Sequence, residues 1–575
     1  MSKHTLSSAP LPPAKRLRTS AGLSDSFLGR SRSSSLDDTL SDELVICIFS
    51  YLSWADLCTV QATNRNWCRL AADNELWRKL YLKVYGRSRL RGASGFLTRP
   101  DGKEMKPLPG GEEPTVFRDW KWMFRISSNW RRGAHYISNL ASGCTLQSRL
   151  LGRCVVEQLD SCLSSSTVSV ENSHQPLILL AGSLVIAASS RPSDQPTIEI
   201  SNPSSIQHTL YCGSQRRDNA FQITALAIDQ SPPSLGYLRI VSFFSTGGFT
   251  IFSINTAHLP ASSVHLTYCP NRGNLNSSPI IQAAYHHPLL VALSHTFNLV
   301  MYDLSNGTIK HIQTLTSFTS FPPTSLVLST PTPTAYKLVL VYAIPVYPAH
   351  WSVGATELVI SGAGISSTPT LLSLPSTLSA AFPAVNPMRV LSIRTTRAID
   401  IPQGWADKQK IHSMREQWGR KVSRVADTQT DGKWIVLAPA EEPSFLSSSG
   451  TTPSSMSSAE KLSNSSTTLQ LYRLYLPARS TSIATSPKLI FVRNLHGHIG
   501  PISSLALADG RCVSLGQNGS VWVWDLEAAV GTEVSVSRSE NAGIDNGLIQ
   551  GAVAFDDRRI VTMETTGVVM RRFDV

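Results

Sequence analysis

One run constrains the fold more than any other: LHGHIGPISSLALADGRCVSLGQNGSVWVWDL at 495–526. Apolar residues space out an extended stretch at Ile502, Leu505 and Leu507, and a turn follows at Asp509 and Gly510. A second strand-like stretch leads to Asn518 and Gly519, and a third alternating one ends on Trp524 and Asp525. Alternation with a period of two is the pattern of a β-strand, and Asp-Gly or Asn-Gly between such runs is a tight-hairpin signal. The spacing returns elsewhere. In LRIVSFFSTGGFTIFSI (238–254), Ser242, Gly247 and Phe252 fall where Ser514, Gly519 and Trp524 fall. In LLVALSHTFNLVMYDL (289–304), Tyr302 and Asp303 take the places of Trp524 and Asp525. Looser versions lie at 177–212, 324–360 and 422–476, and at 550–575, where Phe573 and Asp574 sit one residue off the register. A unit of this size cannot bury its own faces, so repeats of it must stack.

Ahead of these repeats the periodicity is helical. Ser41 is placed to cap a helix whose first turn carries Asp42 and Glu43, complementing the helix dipole, with Leu44, Ile48 and Leu52 along one face. Ser53 then caps a second short helix with Leu57 and Val60 inward, Asn64 a third with Trp67 and Leu70, and Asn74 opens a fourth with Leu76, Trp77, Leu80 and Tyr81. Four short helices in about 45 residues bury little surface, which suits a module completed by docking.

The run LSDELVICIFSYLSWADLCTVQATNRNWCRLAADNELWRKLY (40–81) resembles an F-box. Leu40, Glu43, Leu44, Ile48, Phe49, Ser50, Tyr51, Leu52, Asp56, Leu57, Trp67, Leu70, Leu76, Trp77, Arg78 and Leu80 fall in that family's register, with Ser41 where Pro is usual. The resemblance implies docking to a Skp-type adaptor and, through it, to a cullin-based ubiquitin ligase (SCF). Leu40, Leu44, Ile48, Leu52 and Leu57 are the residues expected at or beneath that contact.

The run at 495–526, bounded by Gly497-His498 and Trp524-Asp525, is similar to a blade of a WD-repeat β-propeller. In that family a His, a Ser or Thr, an Asp and a Trp form a polar network in each blade. Here His498, Ser514 and Trp524 match, and Asn518 stands in place of the Asp, removing a charge. The repeats give about seven blades, with eight the alternative. The last repeat runs out after its third strand, so its outermost strand is expected from the segment near 135–158, which would pin the ring shut and remove open edges. The stretch Asn129-Trp130-Arg131-Arg132-Gly133 resembles the linker between the two parts of F-box/WD-repeat proteins.

The expected organisation is therefore α plus all-β. A disordered basic, Ser/Pro-rich tail covers 1–37, an F-box 38–83, a connector and linker helix 84–133, and a WD-like propeller 134–575 with a disordered Ser/Thr-rich insert near 441–467. The net charge of +12 is concentrated: 61–135 holds 16 Lys plus Arg against 7 Asp plus Glu. That excess lies on helices and a connector without an aromatic recognition surface, so a solvated or partner-facing face is expected rather than nucleic acid. No apolar run reaches the roughly 18 residues of a membrane span, no secretory h-region precedes the first helix, and the nine Cys include no CxxC pair. These features set the expectation of an intracellular protein with no membrane association. Lys15, Arg16 and Arg18 in PPAKRLR (12–18) read as a short import signal, so nucleus and/or cytoplasm is expected.

No phosphate-binding Gly loop, G-x-S-x-G or H-E-x-x-H occurs; His496 and His498 lack a third ligand nearby, and His286-His287 precedes a Pro within a blade turn, so both pairs read as structural. No catalytic residue, metal or cofactor is expected. The resemblances imply a substrate receptor: F-box to the adaptor, propeller to an unknown protein substrate. The alternative is a scaffold that binds adaptor and client without promoting degradation. Some F-box/WD-repeat receptors read phosphorylated segments with arginines on blade turns; the corresponding positions here are Ser245, His295 and Gln517.

Overall fold

Short helices need their first-turn N–H groups satisfied, and the caps set where they begin. α1 is Asp42–Phe49, α2 Trp54–Gln61, α3 Arg65–Ala71 and α4 Asn74–Tyr85. Ser53 and Asp56 form a reciprocal capping box on α2, and Asn64 accepts from Trp67 N on α3. α4 opens at Asn74 as expected, and Asp73 caps it, accepting from Leu76 N at 2.9 Å. Ser41 has the extended backbone of an N-cap, yet its hydroxyl makes no capping bond. The hydroxyl is engaged instead by the Glu43 carboxylate.

The computed structural model describes residues 40–85, 119–139 and 176–574. Within the last range it does not describe the stretches 203–206, 214–219, 233–235, 271–277, 333–334, 347–349, 366–384, 399–407, 441–466, 477–485, 536–550 and 565–566, or a few positions between 363 and 421. The tail 1–37 with Lys15, Arg16 and Arg18, most of the connector, and the Ser/Thr-rich insert lie outside the described residues. The chain divides into two compact units, Met1–Leu80 and Tyr81–Val575.

In the helical unit Val45, Phe49, Leu57, Leu70, Leu76 and Trp77 are buried. Phe49 meets Trp67 edge-on at 5.8 Å, and the Trp77 indole N–H donates to Ala71 O at 2.8 Å. The second unit carries seven four-stranded antiparallel sheets, so the seven-bladed reading holds. The blades, in chain order, span 177–211, 223–268, 280–316, 321–397, 425–495, 502–535, and 552–572 with 136–139. Tyr136–Asn139 pairs with Gly567–Arg572 as the outermost strand of the seventh blade, as expected from the missing strand. A small hairpin, Gly364–Ile365 with Val385–Asn386, interrupts the fourth blade before its outer strand Arg389–Arg397.

Apolar clusters fill every gap between neighbouring blades. Closure between the seventh and first blades is made by Val561 and Met570 against Ile178, Leu180 and Val185. Each sheet is therefore buried on both faces, which explains why a second strand such as Leu289–Ser294 is buried throughout. Three turns after a first strand carry an aspartate that braces the next blade. Asp229 accepts from His287 N (2.9 Å), Asp431 from Gly510 N (2.9 Å), and Asp556 holds Arg559, whose guanidinium donates to Gly182 O and Ser183 O.

Candidate docking surfaces

α1 is apolar nearly all round, and the packing decides which side faces in. Val45 and Phe49 point into the bundle, while Leu44 and Ile48 are 54% and 52% exposed. The helix stops at Phe49, so Tyr51, which is largely exposed, and half-buried Leu52 lie in the turn beyond it rather than on the helix. Leu40 is half-buried and Leu57 is 1% exposed beneath the bundle. The five residues named from the sequence therefore separate: Leu44 and Ile48 form an exposed apolar strip with Tyr51, Leu40 and Leu52 border it, and Leu57 only supports it. The strip's polar border starts with Asp42, paired with Arg69 at 2.7 Å, and Glu43. The carboxyl of Glu43 is held below its ordinary range by its own backbone N–H and by the Ser41 hydroxyl.

On the propeller, the expected four-residue network forms in part. Trp524 Nε1 donates to Ser514 Oγ at 3.0 Å, both side chains buried. Among the described residues neither ring nitrogen of buried His498 has a well-aligned hydrogen-bond partner, and only the Gly500 backbone lies close enough to favour its charged form. Asn518 Oδ1 is spent instead on Ser520, accepting from its N–H (3.0 Å) and hydroxyl (2.7 Å), while its amide donates to Ile499 O. A neutral amide has no charge with which to draw the imidazole away from apolar surroundings. Burial pushes His498 down to about 4, so it is a neutral side chain.

Strand register shows the same position in other blades. Trp524 lies opposite Cys512, Phe252 opposite Ile240, Tyr302 opposite Leu290 and Tyr472 opposite Ile435. In the seventh blade the equivalent is Arg571, opposite Ile560, and it donates to Thr562 Oγ1 at 2.8 Å as Trp524 does to Ser514. Phe573 is thus two residues past the register, not one. It is buried because it serves another purpose: stacking on Trp130 with ring centroids 4.1 Å apart.

Trp130 belongs to α5, Trp120–Arg132, which Asp119 caps and which ends at Gly133 in the left-handed conformation. A Cβ on Gly133 would lie 2.8 Å from Glu533 O, so both the turn and the close approach require glycine there. Trp130 Nε1 donates to Asp557 O (3.0 Å), Asn129 to Phe573 O (2.8 Å) and Arg125 to Asp574 O (2.9 Å). Tyr81 and Tyr85, at the end of α4, pack on Trp120 and Phe124 of α5.

The turn positions Ser245, His295 and Gln517 are equivalent in space, each donating its N–H to the residue just ahead of its blade's first strand: Gln222, Pro279 and Pro501. Ala440 does the same to Arg424, which identifies it as the fifth blade's counterpart. None of the four positions carries an arginine. Among the described residues no group of three His, Cys, Asp or Glu side chains could hold a metal ion, and no helix is long and apolar enough to cross a membrane.

A capped helical bundle with an exposed apolar strip, followed by a seven-bladed propeller, defines a propeller-bearing F-box protein. Residues 42–83 match the F-box-like domain family, whose members generally bind Skp-type adaptors. Residues 162–548 match the family described as F-box protein pof12 beta-propeller, and the chain belongs to that family. Among solved structures it is similar to the Myceliophteria thermophila Cps50 (Swd1) beta-propeller domain, at 8% identity, 70% coverage of this chain, 98% of that one and a TM-score of 0.36.

Proposed function

We propose that this F-box protein is a non-catalytic substrate receptor of an SCF-type ubiquitin ligase. Leu44, Ile48 and Tyr51 dock a Skp-type adaptor, the adaptor carries a cullin, and the propeller holds the protein to be ubiquitinated. The observation that carries the reading is the exposed strip on α1, an apolar surface left over although Val45, Phe49 and Leu57 already fill the bundle. Water exposure of two aliphatic side chains and a tyrosine on one small module is relieved when a partner covers them. The chemistry then belongs to other subunits, and this chain acts by raising the effective concentration of client near them. Lys15, Arg16 and Arg18 would direct part of the population to the nucleus, the rest working in the cytoplasm.

The test is client lifetime. Proteins retained by both the intact chain and a Leu44→Asp/Ile48→Asp variant are clients, since the propeller is untouched. Their turnover should slow when the variant replaces the intact chain. Unchanged turnover would sink the receptor reading in favour of a scaffold that binds without promoting degradation. Ile48 is preferred to Leu52 for this double variant because Leu52 is half-buried and its loss would also loosen the bundle.

A further inference from the structure

We propose that the outer strands of the fourth and fifth blades form a binding rim for an acidic, aliphatic, extended protein segment. Among the described residues every blade ends in an edge strand paired on one side, and these two carry the most cations. Arg389–Arg397 reads RVLSIRTTR and its neighbour Lys488–Leu495 reads KLIFVRNL. Together they present Arg389, Arg394, Arg397, Lys488 and Arg493, all exposed, and no acidic residue. None of the five makes an ion pair with a described residue. The one acid on the adjacent strand His350–Ser361 is Glu357, which is buried and held by Lys337 at 3.1 Å. By contrast, the outer strand of the second blade, SVHLTY, has no Lys or Arg, and that of the sixth, VGTEVS, carries a glutamate.

Apolar surface accompanies this charge. Leu391, Ile393 and Ile490 are each about half exposed on the same two strands. Charge on an edge strand repels a like edge, so these arginines suppress pairing of the rim with a second copy of itself. The same charges attract an acidic strand, which makes the edge selective rather than blocked. Strand addition would use the unpaired outward N–H and C=O groups of Arg389–Arg397, with alternate side chains of the guest meeting Leu391 and Ile393 or the guanidinium groups. A nucleic acid fits less well: single-stranded binders interleave cations with aromatic faces, whereas the exposed apolar groups here are aliphatic. The one aromatic on these strands, Phe491, is half-buried and covered by Arg420 at 4.2 Å.

This inference names the client chemistry of the propeller and rests on the receptor reading only for what happens to the client afterwards. Its test uses the full chain without adaptor, so the two can fail separately. A fluorescein-labelled decapeptide alternating Glu and Val is titrated against the intact protein, beside a Lys/Val decapeptide and a ten-residue oligouridylate. The acidic peptide should bind, the basic one should not, and hydrogen–deuterium exchange should slow in 389–397. An Arg389→Glu/Arg397→Glu/Arg493→Glu variant should weaken binding by about tenfold or more. An Arg389→Gln/Arg397→Gln variant, with milder demands on folding, should weaken it less, and an unchanged thermal melt certifies either variant. Acidic-peptide binding that survives charge reversal, or protection that maps elsewhere on the propeller, overturns the proposal. Tighter binding of oligouridylate through the same residues overturns it in favour of a nucleic-acid surface.

Discussion

Replacing Trp130 with Ala should unlatch the seventh blade's outer strand while leaving the rest of the ring folded. Trp130 is buried between Phe573, stacked at 4.1 Å, and Phe555, edge-on at 6.1 Å, with the Arg511 guanidinium 5.0 Å above its ring. Removing a packed Trp side chain costs about 3–5 kcal/mol. The stranded carbonyl of Asp557 adds about 1 kcal/mol, because it loses the indole donor. Asn129 and Arg125 still tether α5, so part of that sum is recovered and a net of about 4 kcal/mol is reasonable. Tyr136–Asn139 follows α5 within a few residues and, among the described residues, pairs with one strand alone, Gly567–Arg572. The loss should therefore appear as local opening, with amide exchange in 136–139 and 567–572 faster by about a thousandfold, at about 1.4 kcal/mol per decade. Trp130→Phe keeps the stack and loses the N–H, so its exchange should rise by only about tenfold. Exchange by mass spectrometry reads both. If a folded Trp130→Ala protein exchanges those amides at the wild-type rate, the latch does not hold the strand.

Three further outcomes follow from named contacts. Leu57→Ala should cost the helical unit about 2–5 kcal/mol, whereas Leu44→Ala should change it by no more than about 0.5 kcal/mol; equal losses in chemical denaturation would contradict the inward–outward assignment. Arg559→Met should lower the melting temperature of the propeller, since it strands buried Asp556 and the carbonyls of Gly182 and Ser183 at a cost of about 3–5 kcal/mol; an unchanged melt would show that ring closure does not depend on this clasp. Burial holds the His498 pKa down to about 4, below the ordinary 6.5 of a free imidazole, so its contribution is complete above pH 6.5 and declines as pH falls toward 4, by up to roughly 3 kcal/mol. Asn518→Asp should supply the missing charge beside His498, raise that pKa and shrink the acid loss; melts across pH 4–7 that superimpose for the two proteins would count against it.

Much of the architecture is legible in residue patterns because the relevant forces are local. Ser53 with Asp56 and Asn64 with Trp67 are capping pairs readable from spacing, and the truncated last repeat announces the borrowed strand Tyr136–Asn139. The inward side of α1 was not readable: Leu44, Val45, Ile48 and Phe49 are all apolar, so periodicity alone cannot choose a face. In the seventh blade Arg571 takes the place of Trp524, an exchange no apolar pattern would reveal, while Phe573 draws the eye because its packing partner, Trp130, lies more than 440 positions away in sequence. The bracing aspartates Asp229, Asp431 and Asp556 share a position just after a first strand, a signal that emerges only once the strands are aligned. The basic rim is not visible in the sequence because its two strands are some 90 residues apart and become neighbours only in the ring.

If the exposed strip on α1 couples this propeller to a ubiquitin ligase, as proposed above, losing the strip must lose the ligase. The most direct measurement is a pull-down of the intact chain beside the Leu44→Asp/Ile48→Asp variant, with bound proteins identified by mass spectrometry. A Skp-type adaptor together with a cullin should come down with the intact chain, and neither with a variant that still melts normally. Adaptor without cullin, or both retained by the variant, would contradict the proposal.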